Sequence, residues 1–195
     1  MSVKSSLKPG ISANNGIVFI DENSDGTWEA WSDEPLTLVK FTDNIEYVEE
    51  VVVKIGDTII DTAEMFLDCT LLTIADVTNL TEVTNTRDMF KGCSKLTTVD
   101  VSGLVSVIEA RGMFDGCTNL ISINTAGMSS IINTVGMFEG CSNLEYAEGI
   151  VEVTRNSTKT NRMFYECSKL KCFDGIDTEL STDKTDMFGS CPALI

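Results

Sequence analysis

The amino-acid sequence predicts an α/β repeat solenoid: short parallel strands along one side, turns and short helices opposite, and an antiparallel β appendage at the amino end. Three observations carry this. The dipeptide Met-Phe recurs at Met65, Met89, Met113, Met137, Met163 and Met187, spaced 24, 24, 24, 26 and 24 residues apart. Apolar residues follow each dipeptide at a fixed spacing. The first forty residues lack that pattern and have one of their own.

The appendage, residues 1–40, comes first. GIVFIDENSDGTWEAW reads as two strands, Ile17 to Ile20 and Thr27 to Trp31, around an Asn-Ser-Asp-Gly turn. Trp28 and Trp31, the only tryptophans, suit a cap or a docking surface. Asp21, Asn23, Asp25 and Gly26 match the front half of a calcium loop, but Ser32 stands where the bidentate Glu belongs, with Glu29 and Asp33 as substitutes. A plain hairpin turn is the first reading and a Ca²⁺ site the second; no other cofactor is implied.

The solenoid follows over 41–195, opening with a degenerate unit at 41–64. Val48, Val51 and Val53 take its strand positions and Ile59 a later apolar one, as expected of an adapted terminal repeat. Repeats then start at 65, 89, 113, 137 and 163, with a half repeat from 187. In the unit from 89, Leu96, Val99 and Val101 give an L-x-x-L-x-L signature, and Leu104 and Val107 continue the inward set. Thr86-Arg87-Asp88 supplies helix-capping chemistry before a short helical turn that carries Met-Phe inward. Gly92, Gly116 and Gly140 then permit a sharp redirection into the strand. The 26-residue unit loses its apolar pattern from Val151 to Arg162, which predicts a bulged loop. The predicted repeat core is Phe66, Phe90, Phe114, Phe138, Phe164 and Phe188 with Cys69, Cys93, Cys117, Cys141 and Cys167. The cysteines recur once per unit, so they read as a ladder of small apolar side chains, while Cys172 breaks the ladder as the candidate reactive thiol.

The recurring MF-x-G-C-x-x-L-x-x-[IV] resembles the BspA-type leucine-rich repeats of bacterial surface proteins, a repeat type also met in phages and mucosal protozoan parasites. The resemblance covers roughly Phe41 to Ile195. It implies a leucine-rich-repeat fold and a role in adhesion or scaffolding, with no catalytic residues to carry over.

Composition narrows the function. Thirty acidic residues against fourteen basic ones give a formal charge of −16, a surface that repels nucleic acid and anionic lipid. No histidine is present, which removes the commonest general base and zinc ligand. No long apolar run spans a membrane, and the first residues lack the core of a secretory signal. No enzyme is predicted; a carboxylate-based hydrolase is the weak alternative, because the acidic residues recur one per repeat and do not converge.

Asp76, Asp100, Asn124, Glu148 and Asp174 flank inward strand positions and so point to the opposite, concave face. Stacked at about 4.8 Å, they form an acidic ladder. It reads either as a stripe for a cationic partner, a sugar or Ca²⁺, or as a solvated face that blocks aggregation. Tyr146 and Ile150 beside Glu148 mark its less polar end. The half repeat at the carboxyl end leaves an edge for another protein subunit to cover, which favours an oligomer or a larger assembly. The leading functional expectation is a virion-associated phage protein, a capsid decoration or a tail-associated adhesin, meeting a partner subunit, host receptor or glycan. The alternative is a bacterial or protozoan cell-surface adhesin.

Overall fold

The computed structural model describes residues 18–20, 27–31, 50–53, 60–173, 175–176 and 179–194. Strands β1 (Val18–Ile20) and β2 (Thr27–Trp31) form an antiparallel hairpin. β2 pairs in parallel with β3 (Glu50–Val53), which continues in parallel to β4 (Ile74–Asp76) and β5 (Thr98–Asp100). The hairpin thus extends the repeat sheet at its edge. In that ladder Val51 stands opposite Ala75. The remaining strands, β6 (Ser122–Asn124), β7 (Tyr146–Glu148) and β8 (Cys172–Phe173), form a second parallel sheet.

Between strands the chain is almost all turn. Around each Met-Phe, backbone bonds link residues three apart, as in Met89 to Thr86, Lys91 to Asp88 and Cys93 to Phe90. Two residues in each turn have positive φ: the one before Met (Glu64, Asp88, Gly112, Gly136, Arg162, Asp186) and the one four positions later (Asp68, Gly92, Gly116, Gly140, Glu166, Ser190). That left-handed step redirects the chain at Gly92 (φ 76°) as anticipated, although several units place a side-chain-bearing residue there. Asp88 (φ 53°) therefore begins no capped helix. Thr86 turns its hydroxyl to the Glu109 carbonyl of the following repeat, 3.1 Å away. Thr62, Thr134 and Thr160 repeat this link, so a buried threonine column ties successive coils together.

The core is built from identical layers. Phe66, Phe90, Phe114, Phe138 and Phe164 are fully buried, and their rings stack with centroids 5.2 to 5.5 Å apart. Phe188 closes the stack 5.6 Å from Phe164 and is only partly buried. The parallel offset of these rings is one a quadrupole tolerates. Beside them Cys69, Cys93, Cys117, Cys141 and Cys167 are buried and free, with the thiols of the last four donating to the Phe carbonyl one repeat back, as Cys117 Sγ does to Phe90 O at 3.1 Å. Burial pushes the Cys117 and Cys141 thiols well above the usual range, so they pack as apolar groups.

The long repeat corrects one expectation. Val151 to Arg162 does not begin as a bulged loop: Ile150–Arg155 is a helix, α1, the only one among the described residues. Ile150, Val153 and Thr154 bury its inner face. The hydroxyls of Thr154 and Ser157 bond back to the carbonyls of Ile150 and Val153, at 2.7 Å each, and so enter the core satisfied. The short helices expected opposite the strands are otherwise turns.

Candidate functional site

Each strand alternates outward, inward, outward. Ala75, Val99, Ile123, Ala147 and Phe173 face the core, and their neighbours form two outward columns. One column is Ile74, Thr98, Ser122, Tyr146 and Cys172. The other is Asp76, Asp100, Asn124 and Glu148; Asp174, its expected next member, lies outside the described residues, as do Asp21, Asn23 and Asp25 of the amino-terminal turn.

The acidic column has a local duty. Asp76, Asp100 and Asn124 each accept a backbone N–H two residues on, from Thr78, Ser102 and Ala126, at 3.0, 3.0 and 2.9 Å. These are the turn bonds that end each strand, and such short polar side chains are suited to them. The backbone N–H of Ser102 holds the Asp100 carboxyl below its ordinary value. Glu148 differs: its carboxylate has no protein partner among the described residues. Ile150, expected beside it on the same face, is corrected by the structure. It is fully buried as the first residue of α1, because Gly149 (φ 74°) turns the chain inward directly after β7.

A second Asx-type column runs along the bridges Asp61, Asn85, Glu109, Asn133, Lys159 and Asp183. Asn85 Nδ2 donates to Asp61 Oδ2 at 3.0 Å, and Asn133 Nδ2 to Glu109 Oε2 at 2.9 Å. Basic residues also work between coils. Arg87 meets Glu64 at 2.7 Å, Lys91 meets Asp115 at 2.7 Å, Lys171 meets Glu145 at 2.6 Å, and Arg162 pairs with Glu139 while lying over the Tyr165 ring. Exposed pairs of this kind are screened by solvent and add little stability each. The turn side of the molecule is therefore largely occupied by bonds to itself.

The strand side is not continuous. Thr97 and Thr98 donate to the Thr73 carbonyl, Glu145 and Tyr146 to Ile121, and Lys171 and Cys172 to Glu145, but Ile121 and Ser122 make no such bond to Thr97. Val77 and Thr125 donate forward to Asp100 and Glu148, but Val101 does not donate to Asn124. The sheet is thus open between β5 and β6. On the turn side the same two coils stay joined, through Phe90 to Met113 and Gly92 to Asp115 at 2.8 Å each. The inward strand residues explain the gap. Alanine alternates with a larger residue along Ala75, Val99, Ile123, Ala147 and Phe173, except that Val99 and Ile123 are adjacent and both branched. Two bulky layers in succession cannot interdigitate as large and small layers do. Val99 is accordingly only half-buried, where Ala75, Ile123 and Ala147 are buried.

Two hollows flank this seam. One, of about 230 Å³, is lined by Thr98, Val99, Ser122, Asn124, Tyr146 and Glu148. The other, of about 440 Å³, is lined by Thr98, Val99, Asp100, Ser102, Asn124 and Ala126. Of the candidate residues, Asn124, Tyr146 and Glu148 meet in the first hollow and Asp100 joins Asn124 in the second. Asp76 stands apart from both. Sequence reasoning passed over Thr98 and Ser122; the signal was present, since they are two small hydroxyl side chains standing in succession between Ile74 and Tyr146.

Among the described residues, no group of three or more Cys, Asp or Glu side chains could hold a metal ion, and no helix is long and apolar enough to cross a membrane. A family model of the BspA type leucine rich repeat region matches residues 58–195 in six copies. Comparison with curated proteins gives no match.

Proposed function

We propose, from the premise that this chain belongs to the BspA-type leucine-rich-repeat family, that it is a non-enzymatic binding module whose strand face meets its partner. Repeats of this family imply surface exposure and protein–protein interaction. The observation that carries the choice of face is the distribution of bonds. The polar groups of the turn side are largely occupied by contacts between coils, whereas the polar groups of the exposed column Ile74, Thr98, Ser122 and Tyr146 are left open. The carboxylates do not favour hydrolysis, because Asp76 and Asp100 are engaged in turns and, among the described residues, Glu148 is joined by no second carboxylate in its hollow.

The finer setting we infer is a phage particle, with the chain as a capsid decoration or a tail-associated adhesin. Its support is the resemblance of the repeats to those of phage and surface proteins, together with the acidic surface. The test compares fluorescently labelled protein with a Thr98→Arg/Ser122→Arg double variant for adsorption to phage particles and to candidate host cells. Both substitutions fall at exposed positions, so circular dichroism should be unchanged. Adsorption to particles that the double variant loses supports the reading. Adsorption to cells alone moves the setting to a cell-surface adhesin, and equal adsorption by both proteins removes the strand face from the binding role.

A further inference from the structure

We propose that the seam between β5 and β6 is a binding site for a neutral saccharide. This rests on the strand-face reading and adds the class of ligand that the face would take.

The seam presents hydrogen-bonding groups of both kinds. The N–H groups of Ile121, Ser122 and Val101 and the carbonyls of Thr97 and Asn124 lose the partners that their counterparts have in other repeats. Beside them stand the hydroxyls of Thr98 and Ser122, the Asn124 amide N–H₂ and the Glu148 carboxylate, none with a protein partner among the described residues. Asn124 uses only its Oδ1, on the Ala126 N–H. Tyr146, 48% exposed, forms an aromatic wall on one side, with the Lys171 ammonium 5.9 Å from its ring centroid. Val99 supplies a half-buried apolar floor.

Charge decides between ligand classes. A cation could meet Glu148 but leaves the N–H donors without an acceptor. An anion could accept from those N–H groups, yet it would face Glu148 and a chain of formal charge −16. A neutral ring bearing hydroxyls offers donors and acceptors together, and its C–H face can lie on Tyr146. The first hollow, about 230 Å³, suits one sugar ring, and the second, sharing Thr98, Val99 and Asn124 with it, allows a linked unit. An inserted peptide strand fits less well. It needs neighbours on both sides at about 4.8 Å, hence a gap near twice that, while β5 and β6 still approach within 8 Å.

The test is calorimetric titration of the full chain with glucose, galactose and N-acetylglucosamine, and with a β-linked tetramer of each, up to about 10 mM. Expected is binding of at least one tetramer, weakened about tenfold or more by Ser122→Arg, by Tyr146→Ala and by Val99→Ala. The last leaves a small residue beside Ile123, removes the adjacent bulky pair and should close the seam. Ile132→Ala, exposed beside the Asn133 bridge and outside both hollows, should bind as the parent does. Absence of heat with every saccharide, or binding indifferent to Ser122→Arg, overturns the proposal. If saccharides fail while Ser122→Arg still abolishes adsorption to particles or cells, the saccharide falls and the strand-face reading stands.

Discussion

Replacing Phe114 by alanine should cost far more than the same change at Phe188, and the difference follows from the stack. Phe114 is fully buried between Phe90 and Phe138, with centroids 5.4 and 5.5 Å away. Truncating a buried Phe costs about 3–5 kcal/mol, because the cavity is only partly filled by relaxation. In a stacked array this loss weakens two interfaces at once. Phe188 is partly exposed and belongs to the last coil, so its loss touches one interface and should cost about 1–2 kcal/mol. Phe114→Leu separates the contributions: it keeps most of the buried volume and removes both ring pairs, each worth about 0.5–1.5 kcal/mol. Urea unfolding followed by circular dichroism gives the three values from the shift in midpoint. Equal costs at Phe114 and Phe188, or a cost under about 1 kcal/mol for Phe114→Ala, would refute the claim that the ring column holds the coils together.

Glycine substitutions separate crowding from backbone strain. A Cβ on Gly103 would lie 1.9 Å from the Thr78 carbonyl oxygen, so Gly103→Ala should destabilise by about 2–4 kcal/mol in urea. At Gly116 the nearest atoms are 3.7 Å away, and only the positive φ is penalised, about 1–2 kcal/mol. Among the thiols, exposed Cys172 should react first with a disulfide reagent, half-buried Cys191 more slowly, and the buried ones only on unfolding; uniform labelling of the folded protein would contradict the buried ladder. Asp100 and Asp183 both have folded pKa values below their unfolded ones, through the N–H groups of Ser102 and Thr185. Their contribution is therefore present above the ordinary carboxylate range and lost as the pH falls through the folded value. Asp100→Asn keeps the acceptor, as Asn124 does naturally, and should reduce the drop in melting temperature between neutral and acid pH.

The period was legible because packing repeats it: a residue that touches its own kind one coil away must recur at the coil length, so Phe and Cys announced the core. The outward columns were legible from strand alternation alone. Helix α1 was not. Its buried face includes Thr154, a polar letter whose hydroxyl is satisfied by its own helix, so the pattern looked broken. Ile150 was misplaced for the same reason, since a strand was continued past the glycine that ends it. The acidic column was read from its outward position; that three of its members also close turns was visible in the Asx-x-Thr/Ser/Ala spacing. The seam needed a comparison between neighbouring coils. Val99 and Ile123 are ordinary within their own repeats, and only their adjacency opens the sheet.

That adjacency also bears on mechanics. A stack of coils pulled along its axis behaves as springs in series, and extension concentrates in the most compliant one. Between β5 and β6 the strand side carries no such bond, and the load falls on the rest of the coil: the turn bonds from Phe90 and Gly92, the Glu109–Asn133 bridge and the ring contact of Phe90 with Phe114. The chain should therefore bend before it stretches, hinging at this coil while the blocks on either side stay stiff. A tether under shear gains from such a joint, because a soft bend lets a gripping face turn toward its target before force reaches the grip.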